Sequence, residues 1–252
     1  FKGIEAVGAR LFRRTKKVLR KIEEIMLTKV KNELIYLSTL RRILSSLKSI
    51  NNDESSIITK KISGYADSSP DSVAIYFDDR EITYRELIDG ANQYSHWFLD
   101  NGLQKGDVVA LLMENRPEFL MAWIGIAQVG GTTALINTNL TAHPLNHSLS
   151  ISGASKVILG EELLENFETT NDSIKSSFQV WIEGGNNNLE YNNLNESLKK
   201  FGIDMPNIDY DITNQDVALY IYTSGTTGDP KAATITHRRL RLMLMGFVSA
   251  VL

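Results

Sequence analysis

The segment Tyr220-Ile-Tyr-Thr-Ser-Gly-Thr-Thr-Gly-Asp-Pro-Lys231 is the most informative part of this sequence. The apolar run from Val217 to Tyr222 predicts a buried strand, and a second apolar run from Ala232 to Ile235 predicts another. Hydroxyl side chains, two glycines and a lysine lie between the two runs. The sequence therefore predicts two strands joined by a loop that is rich in hydroxyls and glycines.

The composition of this loop suits a polyphosphate. Gly225 and Gly228 allow positive φ and a close approach of the backbone, so that successive N–H groups turn toward an anion. A plain Ser/Thr/Gly turn is the alternative, but so many phosphate-binding groups in so short a span disfavour it. The loop is not a Walker A motif, because Asp229 and Pro230 separate Gly228 from Lys231. The predicted phosphate-binding residues are Tyr222, Thr223, Ser224, Gly225, Thr226, Thr227, Gly228 and Lys231.

The motif Tyr-Thr-Ser-Gly-Thr-Thr-Gly-x-Pro-Lys at Tyr222–Lys231 resembles the phosphate loop of the adenylate-forming enzymes. That superfamily includes acyl-CoA synthetases, luciferases and the adenylation domains of peptide synthetases. Asp229 departs from the family pattern, which usually has an apolar or neutral residue at this position. An acid there repels the triphosphate unless its side chain points to solvent. The resemblance implies that the loop holds the β- and γ-phosphates of ATP and that Lys231 neutralises them.

Before the loop, predicted strands alternate with predicted helices. This alternation predicts an α/β fold with a parallel sheet and helices on both faces. The polar segment 183–214 is predicted to be a loop with one short helix near Leu194. The predicted strands are 73–77, 81–83, 108–113, 133–136 and 156–159; helices are predicted to begin after the Thr83–Glu86 capping box, at Pro117 and near Leu140.

Three further segments narrow the resemblance to one branch of the adenylate-forming enzymes. Asp78–Leu87 and Gly106–Phe119 look like the hairpin and the strand–helix unit of adenylate-forming enzymes. Ala134–Leu140 is similar to the fatty acid transport proteins, also called very long-chain acyl-CoA synthetases. The resemblance implies the N-terminal part of the adenylate-forming large domain, with a mostly parallel sheet and flanking helices, preceded by a basic amphipathic helix. The expected domains are a helical segment at 1–50, a linker at 51–72 and an incomplete AMP-binding domain at 73–252.

Charge is distributed unevenly along the chain. Residues 1–48 contain 13 Lys/Arg and 4 Asp/Glu, whereas the remaining residues contain 14 and 26. Apolar residues recur at helical spacing in the basic segment, which predicts an amphipathic helix. Such a helix lies in the interface of a membrane or packs on the body with a solvated basic face, and both interpretations stay open. Nucleic acid is a less suitable partner, because aromatic residues for stacking are sparse.

The resemblance implies a two-step reaction that uses ATP, Mg²⁺ and coenzyme A to convert a long- or very long-chain fatty acid to its acyl-CoA, coupled to fatty acid uptake. It also implies a membrane-associated protein with its catalytic body in the cytosol. The family's magnesium-binding acid and C-terminal domain would follow Leu252, so we expect this chain alone to be inactive and assign no catalytic residue. Two alternatives stay open: a ligase for another carboxylic acid, and a truncated, non-catalytic product that binds a membrane or a partner.

Histidines are the remaining candidates. His237 follows the second predicted strand, where the resemblance implies a position near the acyl or adenylate site; a helix cap or a surface position is the alternative. His143 and His147 have i, i+4 spacing, but without an HExxH-type carboxylate they predict surface residues and no metal site. Cysteine is absent, which excludes disulfides and cysteine-based metal sites. Glu114-Asn115-Arg116 is predicted to form a strand-to-helix turn, with Asn115 as the helix cap.

Overall fold

The computed structural model describes residues 26–45, 48, 55, 57–185, 191–224 and 230–251. The chain divides into two compact units, one formed by 1–52 with 245–252 and the other by 53–244. In the first unit residues 26–45 form a helix, α1, so the described part of the predicted N-terminal helix is helical. The predicted segment before residue 26 lies outside the described residues. Within the described ranges, no helix combines the length and the apolar character needed to cross a membrane.

The larger unit contains the predicted alternation of strands and helices. Its elements in chain order are α2 (Ile58–Ser68), β1 (Val73–Phe77), β2 (Arg80–Thr83), α3 (Tyr84–Asp100), β3 (Val108–Leu112), α4 (Pro117–Gln128), β4 (Thr132–Leu135), α5 (Ala142–Ser150), β5 (Lys156–Gly160), a 3₁₀ turn (Glu161–Leu163), α6 (Leu164–Glu168), α7 (Asp172–Lys175), β6 (Gln179–Glu183), β7 (Asn192–Asn193), α8 (Leu194–Leu198), β8 (Val217–Ser224), β9 (Pro230–Thr236) and α9 (His237–Val251).

Seven strands form the main sheet in the order β7-β6-β5-β3-β4-β8-β9. All neighbouring pairs are parallel except β8 and β9, which are antiparallel. β1 and β2 form a separate antiparallel hairpin. The predicted mostly parallel α/β sheet is therefore confirmed.

Helices cover both faces of this sheet, as the alternation of side chains along β3 shows. Val109 and Leu111 pack in one apolar cluster with α3 and α4, whereas Ala110 and Leu112 pack in a second cluster with α5 and α6. All four side chains are fully buried. Since successive side chains of a strand point to opposite faces, a strand covered on both sides needs a continuous apolar run, and the sequence of β3 provides one.

Local signals place the helix starts well. The Thr83 Oγ1 atom accepts a hydrogen bond from the Glu86 N–H at 3.2 Å, and the Thr83 N–H donates to Glu86 Oε2 at 2.8 Å, which is the predicted capping box. Pro117 is in the first turn of α4 as predicted. The prediction of Asn115 as the cap is wrong, because Arg116 occupies the N-cap position and caps through no side chain. Pro117 sets that boundary, since its missing N–H leaves the first turn one donor fewer to satisfy.

Two segments contain more regular structure than predicted. Part of the predicted linker 51–72 forms α2, and its Ile58, Ile62 and Ala66 pack against the cluster of α3 and α4. The segment 183–214 contains the predicted short helix as α8, but also the two-residue strand β7. Ile212 from the same polar segment is 6% exposed. Tertiary contacts, rather than local pattern, order both segments.

Candidate functional site

The carboxyl ends of the parallel strands form one edge of the sheet. β3 continues into α4 on one face, and its neighbour β4 continues into α5 on the other face. In open α/β sheets this divergence of neighbouring connections creates a crevice in which ligands bind. β8, the next strand after β4, ends at the same edge. The edge beside β3, β4 and β8 is therefore the place to examine the predicted phosphate-binding residues.

The hairpin of β8 and β9 carries these residues to that edge. In its register Ser224 pairs with Pro230, Thr223 with Lys231 and Tyr222 with Ala232. Lys231 is exposed. The structure thus brings Lys231 directly opposite the backbone of Thr223 at the mouth of the hairpin. The other predicted phosphate-binding residues, Gly225, Thr226, Thr227 and Gly228, lie outside the described residues, as does Asp229.

Tyr222 precedes the mouth of the hairpin and packs against the cluster of α5 and α6. Its hydroxyl is buried and has no hydrogen-bond partner among the described residues. Burial raises the pKa of the Tyr222 phenol to about 12, so the hydroxyl is neutral at physiological pH. A neutral phenol retains its proton and is able to donate it in a hydrogen bond.

His237 lies at the other end of the hairpin. Thr236 pairs with Val217, at the start of β8, and His237 follows it. A seven-residue strand separates Lys231 from His237 by roughly 20 Å at about 3.4 Å per residue. The His237 imidazole is 0% exposed, and neither ring nitrogen has a hydrogen-bond partner among the described residues. Burial lowers its pKa to about 4, while the Asp216 carboxylate partly offsets this shift. His237 and Lys231 therefore lie at opposite ends of β9, and His237 is a buried residue rather than a surface one.

An ion-pair network that was not predicted from the sequence lies at the same edge. The Arg116 guanidinium pairs with the Glu183 carboxylate, donates to the Glu183 carbonyl oxygen at 3.1 Å and lies 3.3 Å from Glu162 Oε2. Glu183 is 2% exposed, and Asn195 Nδ2 donates to its Oε1 atom at 3.0 Å. Burial raises the pKa of the Glu183 carboxyl, and the charge of Arg116 offsets part of that rise. The network joins the ends of β3, β5 and β6 to α8.

A cleft of about 660 Å³ opens beside this network. Its lining includes two charged residues of the network together with three further polar residues: Arg116, Glu183, Glu118, Asn195 and Lys199. Asn195 already uses both of its amide atoms, since its Oδ1 accepts from the Gly184 N–H at 2.7 Å. Lys199 pairs with Glu196 at 2.6 Å. The Arg116 and Glu183 charges of the cleft are paired with each other, so the network acts as a structural clamp at this edge of the sheet.

The predicted histidine pair lies on α5, with His143 exposed and His147 half-buried. Among the residues that the structure describes, no group of three or more His, Cys, Asp or Glu side chains is arranged to hold a metal ion.

Comparison with known proteins finds a matching family and similar proteins. The family described as "AMP-binding enzyme" matches residues 63–251. Long-chain fatty acid transport protein 6 from Mus musculus is 31% identical over 183 residues, which are 71% of this chain and 30% of the relative. The chain therefore spans about 30% of the length of this curated relative.

Solved structures share the fold. A Mycobacterium tuberculosis fatty acyl CoA synthetase superposes with a TM-score of 0.61 and 28% identity, over 72% of this chain and 34% of the other. An anthranilate CoA ligase in complex with anthranoyl-AMP superposes with a TM-score of 0.65 over 73% of this chain and 35% of the other. The second structure is 23% identical, and it shows likeness of fold alone.

Proposed function

The chain belongs to the family of AMP-binding enzymes, and from that membership we propose that it holds the nucleotide in a ligase that activates fatty acids with ATP. A fatty carboxylate oxygen attacks the α-phosphorus of ATP, and the bond to the bridging oxygen breaks, so that pyrophosphate leaves. The thiol of coenzyme A then attacks the acyl carbon, and the thioester forms with release of AMP and the thiol proton. The names of the relatives support the fatty acid, the coenzyme A step and a coupling to uptake.

The position of Lys231 carries this proposal. The register with Thr223 puts its charge at the carboxyl edge of β8, beside the crevice between β3 and β4. Lys231 is exposed and has no ion-pair partner among the described residues, so its charge is available to an anion. Phosphoryl-type transfer depends mostly on positioning and charge stabilisation, which a lysine at this place supplies.

The remaining groups have supporting roles in the proposal. The glycines and hydroxyls from Thr223 to Gly228 hold the β- and γ-phosphates, and the neutral Tyr222 phenol supports the strand that leads to them. Mg²⁺ enters with ATP, because this ion usually keeps several waters and binds through substrate phosphates rather than an all-protein cage. When bound, it supplies positive charge to the leaving pyrophosphate.

Binding of MgATP to the 252-residue chain tests the nucleotide part of the proposal. Lys231→Ala should weaken binding about 10-fold or more, since a hydrogen bond to a charged group contributes about 1.5–3 kcal/mol. Lys199→Ala is the matched control, because Lys199 is exposed and pairs with Glu196 at the far side of the sheet. Absence of MgATP binding by the parent chain would contradict the proposal. In the complete protein, pyrophosphate exchange with fatty, aromatic and bile acids then identifies the acid, and no exchange with any of them favours a non-catalytic product.

We further propose that the N-terminal segment binds an anionic membrane surface. Apolar side chains of α1 are strongly exposed: Met26, Leu27, Val30, Leu34, Leu37 and Leu44 are between 53% and 70% exposed. Val30, Leu37 and Leu44 recur every seven residues and so lie along one side of the helix. Exposed apolar side chains together with a local excess of Lys and Arg are what an interfacial helix requires.

Co-sedimentation with lipid vesicles tests this second proposal. The chain should bind phosphatidylserine-containing vesicles at low salt and release as the salt concentration rises. Leu37→Glu should reduce binding, whereas Ser38→Glu adds the same charge away from the line of Val30, Leu37 and Leu44 and should reduce it less. Equal binding to neutral vesicles, or no binding at low salt, would favour the alternative in which the helix packs on protein.

A further inference from the structure

The turn that follows β4, residues 137–142, borders the mouth of the β8–β9 hairpin. β4 lies beside β8, and Leu135 pairs with Ile221 in this parallel register. β4 ends at Leu135, and Asn137 follows two residues later, whereas β8 continues past Ile221 to Thr223, whose partner across the hairpin is Lys231. Neighbouring strands are about 4.8 Å apart. The turn therefore begins at the carboxyl end of the strand next to β8, at the sheet edge to which the proposed function assigns phosphate binding.

The turn has an unusual conformation. The Asn137 Oδ1 atom accepts a hydrogen bond from the Asn139 N–H at 2.9 Å. Ala142, at the end of the turn, has a φ of 45°. This left-handed conformation is unfavourable for a residue with a Cβ atom, so it persists only where the surroundings impose it.

The contacts that impose it come from α6 and the residue that follows it. The Ala142 N–H donates to Thr169 Oγ1 at 2.6 Å, and Thr169 Oγ1 donates in turn to the Asn166 carbonyl oxygen at 2.6 Å. Asn166 Nδ2 donates to the Thr138 carbonyl oxygen at 2.9 Å. Phe167, between these two residues, is fully buried and anchors the segment in the core. Two side chains from another element thus hold the turn at both ends.

The chemistry of the turn indicates why its position matters. Four of its five residues before Ala142 are amides or hydroxyls: Asn137, Thr138, Asn139 and Thr141. Asn137 and Asn139 are exposed at the same edge as Lys231. Amide and hydroxyl donors held at the same sheet edge as a lysine are suited to phosphate oxygens.

We propose that Asn166 and Thr169 are positioning residues for the nucleotide: they hold the 137–142 turn as the wall of the phosphate site that faces the Thr223–Lys231 mouth. The inference rests on the proposed function, since it assigns a second wall to the same site. Asn166 and Thr169 do not touch the phosphates; they act through the turn.

Matched substitutions at neighbouring threonines test this role in the 252-residue chain, with MgATP as the probe. Thr169→Val removes the acceptor of the Ala142 N–H without changing the side-chain size and should raise the Kd for MgATP about 3- to 10-fold, the effect of one neutral hydrogen bond. Thr169→Ser retains the hydroxyl and should bind within twofold of the parent. Thr170→Val is the control, because Thr170 Oγ1 donates at 2.7 Å to the Phe167 carbonyl oxygen instead of contacting the turn.

The thermal midpoint of each variant is measured alongside its affinity. A lower midpoint for Thr169→Val with a parental Kd would show a merely structural contact and overturn the inference. If Thr169→Val does not fold, Asn166→Ala replaces it, since this substitution removes only the hydrogen bond to Thr138. Asn166→Ala should weaken MgATP binding to the same extent. A Kd equal to that of the parent chain for Asn166→Ala would also overturn the inference. A parent chain that does not bind MgATP would overturn the proposed function first, and this inference with it.

Discussion

His237 shows how burial sets the chemistry of a single residue. Neither ring nitrogen has a partner in the part of the chain that the structure describes; such a neutral imidazole is unfavourable in the interior, and a charged one is more so. This explains why its pKa is lowered to about 4. At physiological pH the side chain is neutral, and its main-chain N–H contributes instead by donating to the Asp216 carbonyl oxygen at 3.0 Å.

A pH dependence of stability follows for His237. The unfolded chain binds the proton near pH 6.5 and the folded chain only near pH 4, so stability is complete above pH 6.5 and falls between these two values. The shift of about 2.5 units corresponds to a loss of about 3 kcal/mol. Urea titrations of the parent chain and His237→Leu at pH 7.5, 5.5 and 4 measure it. The variant should lose less stability across this range, and parallel curves for the two proteins would contradict the assignment.

At the scale of residues, the sequence predicted contacts between near neighbours better than contacts between distant ones. Thr83 and Glu86 are three residues apart, so their capping box is visible as a pattern. Arg116 and Glu183 lie far apart in sequence, and nothing local distinguishes their buried pair from two solvated charges. Lys231 and His237 flank the predicted strand 232–235, so the sequence already placed them at opposite ends of one strand, and the register of β9 agrees.

At the scale of elements, the crossing of α3 and α4 depends on a glycine. A Cβ atom at Gly125 would lie 2.6 Å from Tyr94 Cβ and 2.8 Å from the Ala91 carbonyl oxygen. Real Cβ atoms do not approach so closely, and a backbone oxygen is not able to move without moving α3. The two helices therefore approach each other only because position 125 has no side chain.

Two glycine substitutions test this packing, because they are expected to change the stability of the chain in opposite directions. Gly125→Ala should destabilise the chain by about 1–3 kcal/mol through overpacking. Gly64→Ala, within α2, meets nothing within 4 Å and should stabilise the chain by about 0.5–1 kcal/mol, because alanine favours a helix. Guanidinium unfolding midpoints report both effects. Unfolding midpoints that shift by the same amount in the same direction for both variants would show that the α3–α4 contact does not determine the destabilisation caused by Gly125→Ala.

Elements with strong local patterns were predictable, and elements ordered by contacts were not. The continuous apolar run of β3 and the proline of α4 identified both elements. β7 has two residues, which is too short for any periodicity to appear. α2 has no side-chain cap, and its single buried residue is Thr59. Its sequence therefore resembles that of a linker, and only its packing against α3 and α4 distinguishes it as a helix of the fold.

At the scale of the whole molecule, the sheet separates two kinds of polar group at its carboxyl edge. The side beside β8 presents an exposed lysine and the donors of the 137–142 turn. The side beside β5 and β6 contains the Arg116–Glu183 network, whose charges are already paired. Among the described residues, Lys231 on the first side is a basic group with no ion-pair partner, whereas Arg116 on the second side is paired with acids. The resemblance seen in the sequence anticipated the hairpin on that side, but only the sheet order shows that the 137–142 turn is its neighbour.

The paired side should therefore govern stability rather than binding, and Arg116 is the residue with which to test this. Arg116→Met leaves the Glu183 carboxylate buried without its partner, which should cost about 3 kcal/mol at pH 7. Glu183 then remains protonated to a higher pH, so the cost should shrink toward pH 5, where a neutral carboxyl needs no counter-charge.

A double-mutant cycle with Glu183→Gln separates the pair from its surroundings. The glutamine keeps an oxygen that can accept from Asn195 and removes the charge, so Arg116→Met should cost less in that background than in the parent chain. Unfolding free energies of the four proteins at pH 7 and pH 5 provide the comparison, and MgATP affinity should remain within twofold throughout. Additive costs in unfolding free energy that do not change with pH would show that Arg116 stabilises the sheet by packing alone. A loss of MgATP affinity without a loss of stability would show that the network is part of the binding site.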